Sequence, residues 1–257
     1  MLLHKQCTNQ ATDFVLSIQH SPTKKEKQND KEKANKPNKT HIYTLLDRSG
    51  SMSSIANDVI GGFNQWIKDQ KANGLDAKVT FVQFDSQDPQ HVVVAGAPIS
   101  EIIDLTPATF IPRGSTPLLD ATGLLIGRAR VEAAAREATG LQKEDILFIS
   151  ITDGEENESS EYTLAQIKKL VKECEKSGWT FVFLSAALDA YGDAERIGLK
   201  QGNIQAFDGT AQGTHLAFQS LAMKTSNYRN KKRQFLAAVD DDFFGSDKPA
   251  EDDRNDK

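Results

Sequence analysis

His41-Ile-Tyr-Thr-Leu-Leu-Asp-Arg-Ser-Gly-Ser-Met52 carries a short apolar run straight into a turn made of one carboxylate and two hydroxyls. The run His41–Leu46 suits a buried strand. Beyond the turn, Ile55, Val59, Phe63, Trp66 and Ile67 recur at helical spacing, with Ser54 placed to cap that helix. Strand, polar turn and amphipathic helix form the opening unit of a layered α/β chain, and the rest of the sequence repeats the alternation. Ala77–Phe84 and His91–Ala95 read as two strands separated by a polar, Pro-containing turn, a candidate hairpin. Pro117 to about Ala138 is a long helix with proline at its start, where a missing N–H costs nothing. Asp145–Ile151 is the most apolar strand and belongs at the sheet centre. Leu164, Ile167, Leu170, Val171 and Cys174 mark a helix ended by Gly178. Trp179–Ala186 and Asn203–Phe207 read as strands, Ala190–Ile197 as a short helix, and His215 to about Tyr228 as a closing helix. Strands alternating with helices predict a mostly parallel sheet covered on both faces.

The 257 residues suffice for one domain with tails. Residues 1–40 read as a disordered tail: between Ser21 and Thr40 there are seven lysines, with Asn, Gln and Pro between them and almost nothing apolar. Residues 231–257 read as an acidic, solvated tail, with eight acidic and three basic residues from Asp240 onward. The folded domain is therefore expected over residues 41–230. Overall charge is −5, from 31 basic and 36 acidic residues, so nothing global favours nucleic acid. Two cysteines, Cys7 and Cys174, make no disulfide framework, and Cys174 falls on a helix stripe as a buried thiol. No stretch approaches the roughly twenty apolar residues of a membrane span, and the first residues lack a signal-peptide pattern. A soluble, cytoplasmic protein with no membrane partner is the expectation.

In open α/β sheets, ligands bind at the carboxyl ends of the strands. Three such ends carry chemistry here. Asp47, Ser49 and Ser51 alternate along the first turn, and Gly50 lets it curl so that all three face one crevice. Arg113-Gly-Ser-Thr-Pro117 delivers the Thr116 hydroxyl at the head of the long helix. Thr152-Asp-Gly154 ends the central strand and sets Asp153 beside Asp47 if those strands are neighbours. These are oxygen donors and nothing else, the set a hard cation such as Mg²⁺ prefers. Taken alone, Asp47-x-Ser-x-Ser51 fits a turn with a helix cap equally well. The second and third segments favour the metal.

The three segments together resemble the metal-ion-dependent adhesion site of the von Willebrand factor A (VWA) family, of the intracellular or prokaryotic type. The resemblance covers about residues 41–230, and all five site positions hold the residue types of the family, in its order. It implies a doubly wound, Rossmann-like open sheet with one antiparallel edge strand. It implies that Ser49, Ser51 and Thr116 bind the ion directly, with Asp47 in the first or second shell and Asp153 acting mainly through water. It also implies a coordination position left open for a Glu or Asp side chain of a protein partner. Mg²⁺ is the expected ion, with Mn²⁺ or Ca²⁺ as substitutes.

Other groups at strand ends read more simply. Arg48 and Arg113 are placed near the crevice, where they could pair with a partner's acids, but solvated loop cations are the simpler reading, while Asp85, Glu155, Glu156 and Asp189 orient the ion's ligands or face water. His215 stands alone, and Lys231-Lys-Arg233 is a basic run at a helix end. A binding module without enzymatic turnover is the leading class. A Mg²⁺-dependent phosphohydrolase is the first alternative, disfavoured because no phosphate-cradling G-x-x-x-x-G-K-[ST] loop or two-metal carboxylate cluster occurs. A metal-independent scaffold is the second.

Overall fold

The computed structural model describes residues 39–236, 241–246 and 248–255. The expected N-terminal tail lies outside the described residues except for its last two. Of these, Thr40 already belongs to the sheet. The six strands are β1 (Thr40–Asp47), β2 (Ala77–Asp85), β3 (Asp88–Pro98), β4 (Asp145–Thr152), β5 (Thr180–Ser185) and β6 (Ile204–Ala206). They lie in the order β3-β2-β1-β4-β5-β6. Every pairing is parallel except β2 with β3, the hairpin, which makes β3 an antiparallel edge. The sheet is thus the doubly wound, mostly parallel one expected, with β1 and β4 as its central pair.

Side-chain alternation explains why helices cover both faces. On one face Ile42 and Leu46 of β1, Leu147, Ile149 and Ile151 of β4, and Val182 and Leu184 of β5 share a core. The helices α1 (Ala56–Ala72) and α5 (Ala211–Arg233) cover it, through Phe63, Trp66, Phe218 and Leu221. On the other face Tyr43, Leu45, Phe148, Phe181 and Phe183 pack with α2 (Leu118–Ala138) and α3 (Leu164–Lys176) through Leu125, Ile126, Ile167 and Val171. A short helix, α4 (Ala190–Arg196), follows β5. Strands buried on both faces tolerate few polar positions, which is why β1, β4 and β5 read as continuous apolar runs. Cys174 is buried, and burial pushes its thiol up to about 11.

Two local expectations fail for identifiable reasons. Ser54 does not cap α1. A 3₁₀ segment, Gly50–Ile55, joins the turn after β1 to the helix, and Ser54 Oγ instead donates to the Ser51 carbonyl. The closing helix is longer than its apolar spacing, because Thr210 caps its start by accepting from Gly213 N, and polar contacts hold its end. There Arg229 and Arg233 both bind Asp76, each at 2.6 Å. The Arg233 guanidinium, with Arg229 behind it, outweighs burial and holds the Asp76 carboxyl well below the usual carboxylate range. Lys232 lies over the Tyr228 ring at 5.1 Å.

The acidic stretch after residue 230 also differs from a solvated tail. Phe243 and Phe244 are buried in the α1/α5 core, their rings 5.1 Å apart and edge-on. The helix α6 (Pro249–Asn255) buries Ala250 and sends Glu251 Oε1 to accept from Ala206 N of β6 at 3.0 Å. It thereby occupies a backbone donor that an edge strand otherwise leaves open. A net-charge count hides two adjacent phenylalanines, and those decide the packing. Phe244→Ala should cost about 3–5 kcal/mol, as for other buried aromatics cut to alanine. Urea unfolding of the variant measures this, and an unchanged midpoint would mean that the segment adds nothing to the core.

Candidate metal centre

Asp47 is the last residue of β1 and is fully buried. Its two carboxylate oxygens are both occupied. Oδ1 accepts from Ser49 N at 2.6 Å, which curls the turn, and Oδ2 accepts from Thr152 Oγ1 at 2.5 Å. The second bond exists because β1 and β4 are parallel neighbours in register, Leu46 beside Ile151, so their carboxyl ends finish together. From there the hydroxyls continue as a chain. Ser49 Oγ and Ser51 Oγ lie 3.0 Å apart, and Ser51 Oγ donates to Asp153 Oδ1 at 2.8 Å.

Thr116 enters from the other loop. Gly154 marks where it meets the first group: a Cβ on that glycine would stand 3.3 Å from Thr116 Oγ1 and 3.6 Å from Ser51 Oγ. Both hydroxyls therefore face the space that the missing side chain leaves. All five residues expected from the sequence come together at one end of the sheet.

Main-chain bonds join the two loops. Gly50 N donates to the Gly114 carbonyl at 3.0 Å, and Arg113 N to the Arg48 carbonyl at 2.8 Å. Gly114 has φ +67, in the left-handed region, and a Cβ there would meet Ser86 Oγ at 2.6 Å. Only glycine fits both demands.

The electrostatics of this group are unfavourable as it stands. Burial pushes Asp47 up to about 6 despite the hydrogen bonds from Thr152 and Ser49, and the charge of Asp153 adds to the rise. Burial raises Asp153 as well, against the bond from Ser51. Two carboxyl groups pressed above their usual range, with only hydroxyls and backbone N–H groups between them, lack positive charge. Among the described residues no group of three or more His, Cys, Asp or Glu side chains gathers as a metal cluster. The donors here are two carboxylates and three hydroxyls, and that oxygen-only set fits a hard divalent cation.

Several neighbours have roles that single-residue reading did not supply. Arg48 is not a solvated loop cation, and Arg113, although its side chain is 43% exposed, is tied down as well. Both donate through Nε to Asp85 Oδ2, at 2.5 and 2.9 Å, and Arg48 and Asp85 are buried. Burial alone would raise the Asp85 carboxyl. The bond from Arg113, the N–H groups of Gln87 and Asp88 and the Arg48 charge together hold it below the usual range. Glu156 caps the head of α2, accepting from Leu119 N at 2.8 Å, and Asp189 caps α4 through Gly192 N. Glu155 and His215 are exposed. Asn157 escaped sequence reading altogether: its Oδ1 accepts from Thr116 N at 2.9 Å, and its own N–H donates to the Thr116 carbonyl at 3.2 Å. Nothing in its polar surroundings marks it, since its partner is 41 residues away.

Scans of the sequence against family models and against curated proteins give no match. Comparison of folds does. The pilus adhesin SpaC of Lactobacillus rhamnosus GG, in its open conformation, superposes over 76% of this chain with a TM-score of 0.54 and 15% identity. The fold is VWA-like. At that identity the likeness concerns the fold alone, and the match spans 31% of the adhesin chain. Two further structures are similar at lower scores. The manganese-loaded TRAP protein of Plasmodium vivax matches with a TM-score of 0.47 and 15% identity, over 66% of this chain and 69% of that one. The VWA domain of SpRpn10 matches with a TM-score of 0.43 and 10% identity, over 71% and 94%.

If Asn157 holds the Thr116 loop, Asn157→Ala should lower the local opening energy by about 1 kcal/mol, one hydrogen bond's net worth. Hydrogen exchange at the Thr116 amide should then quicken about fivefold, with the β1 and β4 amides unchanged. Unaltered exchange at Thr116 would show that the loop is held by other means.

Proposed function

We propose that this chain is a divalent-metal-dependent protein-binding module, in which Asp47, Ser49, Ser51, Thr116 and Asp153 hold a cation that engages a Glu or Asp side chain of a partner. Mg²⁺ is the proposed ion, with Mn²⁺ or Ca²⁺ able to replace it. One observation carries the reading. The Ser49 and Ser51 hydroxyls link buried Asp47 to Asp153 at the sheet's carboxyl end, and Thr116 faces the same gap beside Gly154. When bound, a dication would supply an electrophilic centre, which three neutral hydroxyls and at most one direct carboxylate would leave under-neutralised and open to a further anionic ligand.

The chain's own residues divide the work. Asp47 and Asp153 contribute the charge. Asp47 also orders the turn through Ser49 N, and Thr152 fixes its second oxygen. Ser51 is exposed and Asp153 half-buried, so the group opens to solvent on their side, while Asp47, Ser49 and Thr116 are enclosed. A side chain from outside reaches the exposed edge without displacing the core. Binding without turnover is the proposed activity: the hydroxyls and carboxylates gathered here are all assigned to the ion, and the sequence carries no phosphate-cradling G-x-x-x-x-G-K-[ST] loop.

Thermal unfolding in Mg²⁺ and in chelator, at matched ionic strength, tests the metal. At an ion concentration tenfold above Kd, native-state binding adds about 1.4 kcal/mol. For a chain of this size that corresponds to about 3–6 °C in Tm. Asp47→Asn, which keeps the size and removes the charge, should abolish the gain, while Thr116→Ala should only reduce it. Identical melts in Mg²⁺ and chelator would contradict the proposal.

A further inference from the structure

The surface around the proposed site is electrically polarised. On the β2 side, two guanidiniums share one carboxylate: Arg48 and Arg113 both bind Asp85. That leaves one positive charge in excess. Arg48 is enclosed, and its Nη2 has no hydrogen-bond partner. The excess reaches solvent through Arg113, whose side chain is 43% exposed. Its position is not free, since Arg113 N is bonded to the Arg48 carbonyl within the metal-type turn itself.

The opposite side carries the other sign. The loop after β4 exposes Glu155. Glu155 lies close enough to Asp193 of α4 to raise that carboxyl further than burial already does, so this pole faces α4, which follows β5. With β2, β1, β4 and β5 adjacent in that order, the Arg113 pole and the glutamate pole flank the Asp47–Asp153 group from opposite sides.

We infer that the partner presents a di-acidic segment: one carboxylate for the cation and a second, on the same side of an extended stretch, for Arg113. In an extended chain, residues i and i+2 point the same way and stand about 7 Å apart, and neighbouring strands are about 4.8 Å apart. A D/E-x-D/E arrangement therefore spans from the β1 turn to the Arg113 loop. The other flank of the segment faces Glu155 and carries basic or neutral residues, because an acid there meets like charge. This rests on the metal-dependent reading above and adds direction and sequence to it. Arg113 is the specificity-determining residue.

The test uses the full chain and synthetic nonapeptides with a central Asp and flanks randomised among Asp, Lys and Ser, alongside a matching set with central Asn. Binding is read in Mg²⁺ and in chelator. The expected result is Mg²⁺-dependent enrichment of central-Asp peptides with Asp two residues to one side and Lys on the other. Arg113→Gln should weaken the selected di-acidic peptide about three- to fivefold, the scale of a partly exposed ion pair. Arg113→Lys should keep the preference and Arg113→Glu should reverse it to Lys. The melting temperature of each variant, read in parallel, separates misfolding from lost contact. Mg²⁺-dependent binding of central-Asp peptides without flank bias, or with a bias indifferent to Arg113→Glu, overturns this inference alone. Failure of Mg²⁺ to distinguish central Asp from central Asn overturns the metal reading and this one with it.

Discussion

The bond from Thr152 Oγ1 to Asp47 Oδ2 joins the ends of the two central strands, and the architecture of the site follows from it. A carboxylate with no solvent exposure is costly to bury unless its oxygens are bonded. Here one oxygen is bonded by the neighbouring strand and the other by the backbone two residues on. Those contacts require β1 and β4 to be adjacent, parallel and in register, which the doubly wound sheet provides. They do not neutralise the charge, and Asp47 stays raised despite them. A fold that holds a partly compensated carboxylate against a second one spends stability at that end of the sheet, and the two apolar layers supply the excess.

Around this pair the loops are braced without reference to the proposed ion. Asp85 draws Arg48 and Arg113 together, Gly50 and Gly114 touch through backbone, and Asn157 brackets Thr116 by two hydrogen bonds. Asp120 accepts three N–H groups from residues 160–162 and pins the same loop from behind. Donor positions therefore rest on contacts outside the donor set, as expected of a pre-organised site. The arginines that brace the turn also set the charge of its rim. Structural support and the proposed partner choice are thus linked through Asp85.

Much of this was legible in the sequence. The alternation of apolar runs and helical stripes gave the order of elements, because strands covered on both faces must be continuously apolar. That the five candidate residues would meet at one end of the sheet was readable, since each lies beside a strand end or a helix head, where such folds bind ligands. Contacts between distant residues were not. Arg48 and Arg113 look like loop cations until the fold brings Asp85 beneath them, and Asn157 looks like any polar loop residue until Thr116 arrives. Phe243 and Phe244 were obscured by the eight acidic residues around them, because a charge count averages over positions that packing treats separately.

The central claim is that these five side chains share one cation. Crystals grown without divalent metal and soaked in Mn²⁺ test it most directly, through the anomalous signal of the metal. The proposed site predicts one strong anomalous peak between Ser49, Ser51 and Thr116, with oxygen neighbours at roughly 2.1–2.2 Å, and the peak lost in Asp47→Asn. A map with no peak among those residues, or with manganese bound only at other surface carboxylates, would contradict it.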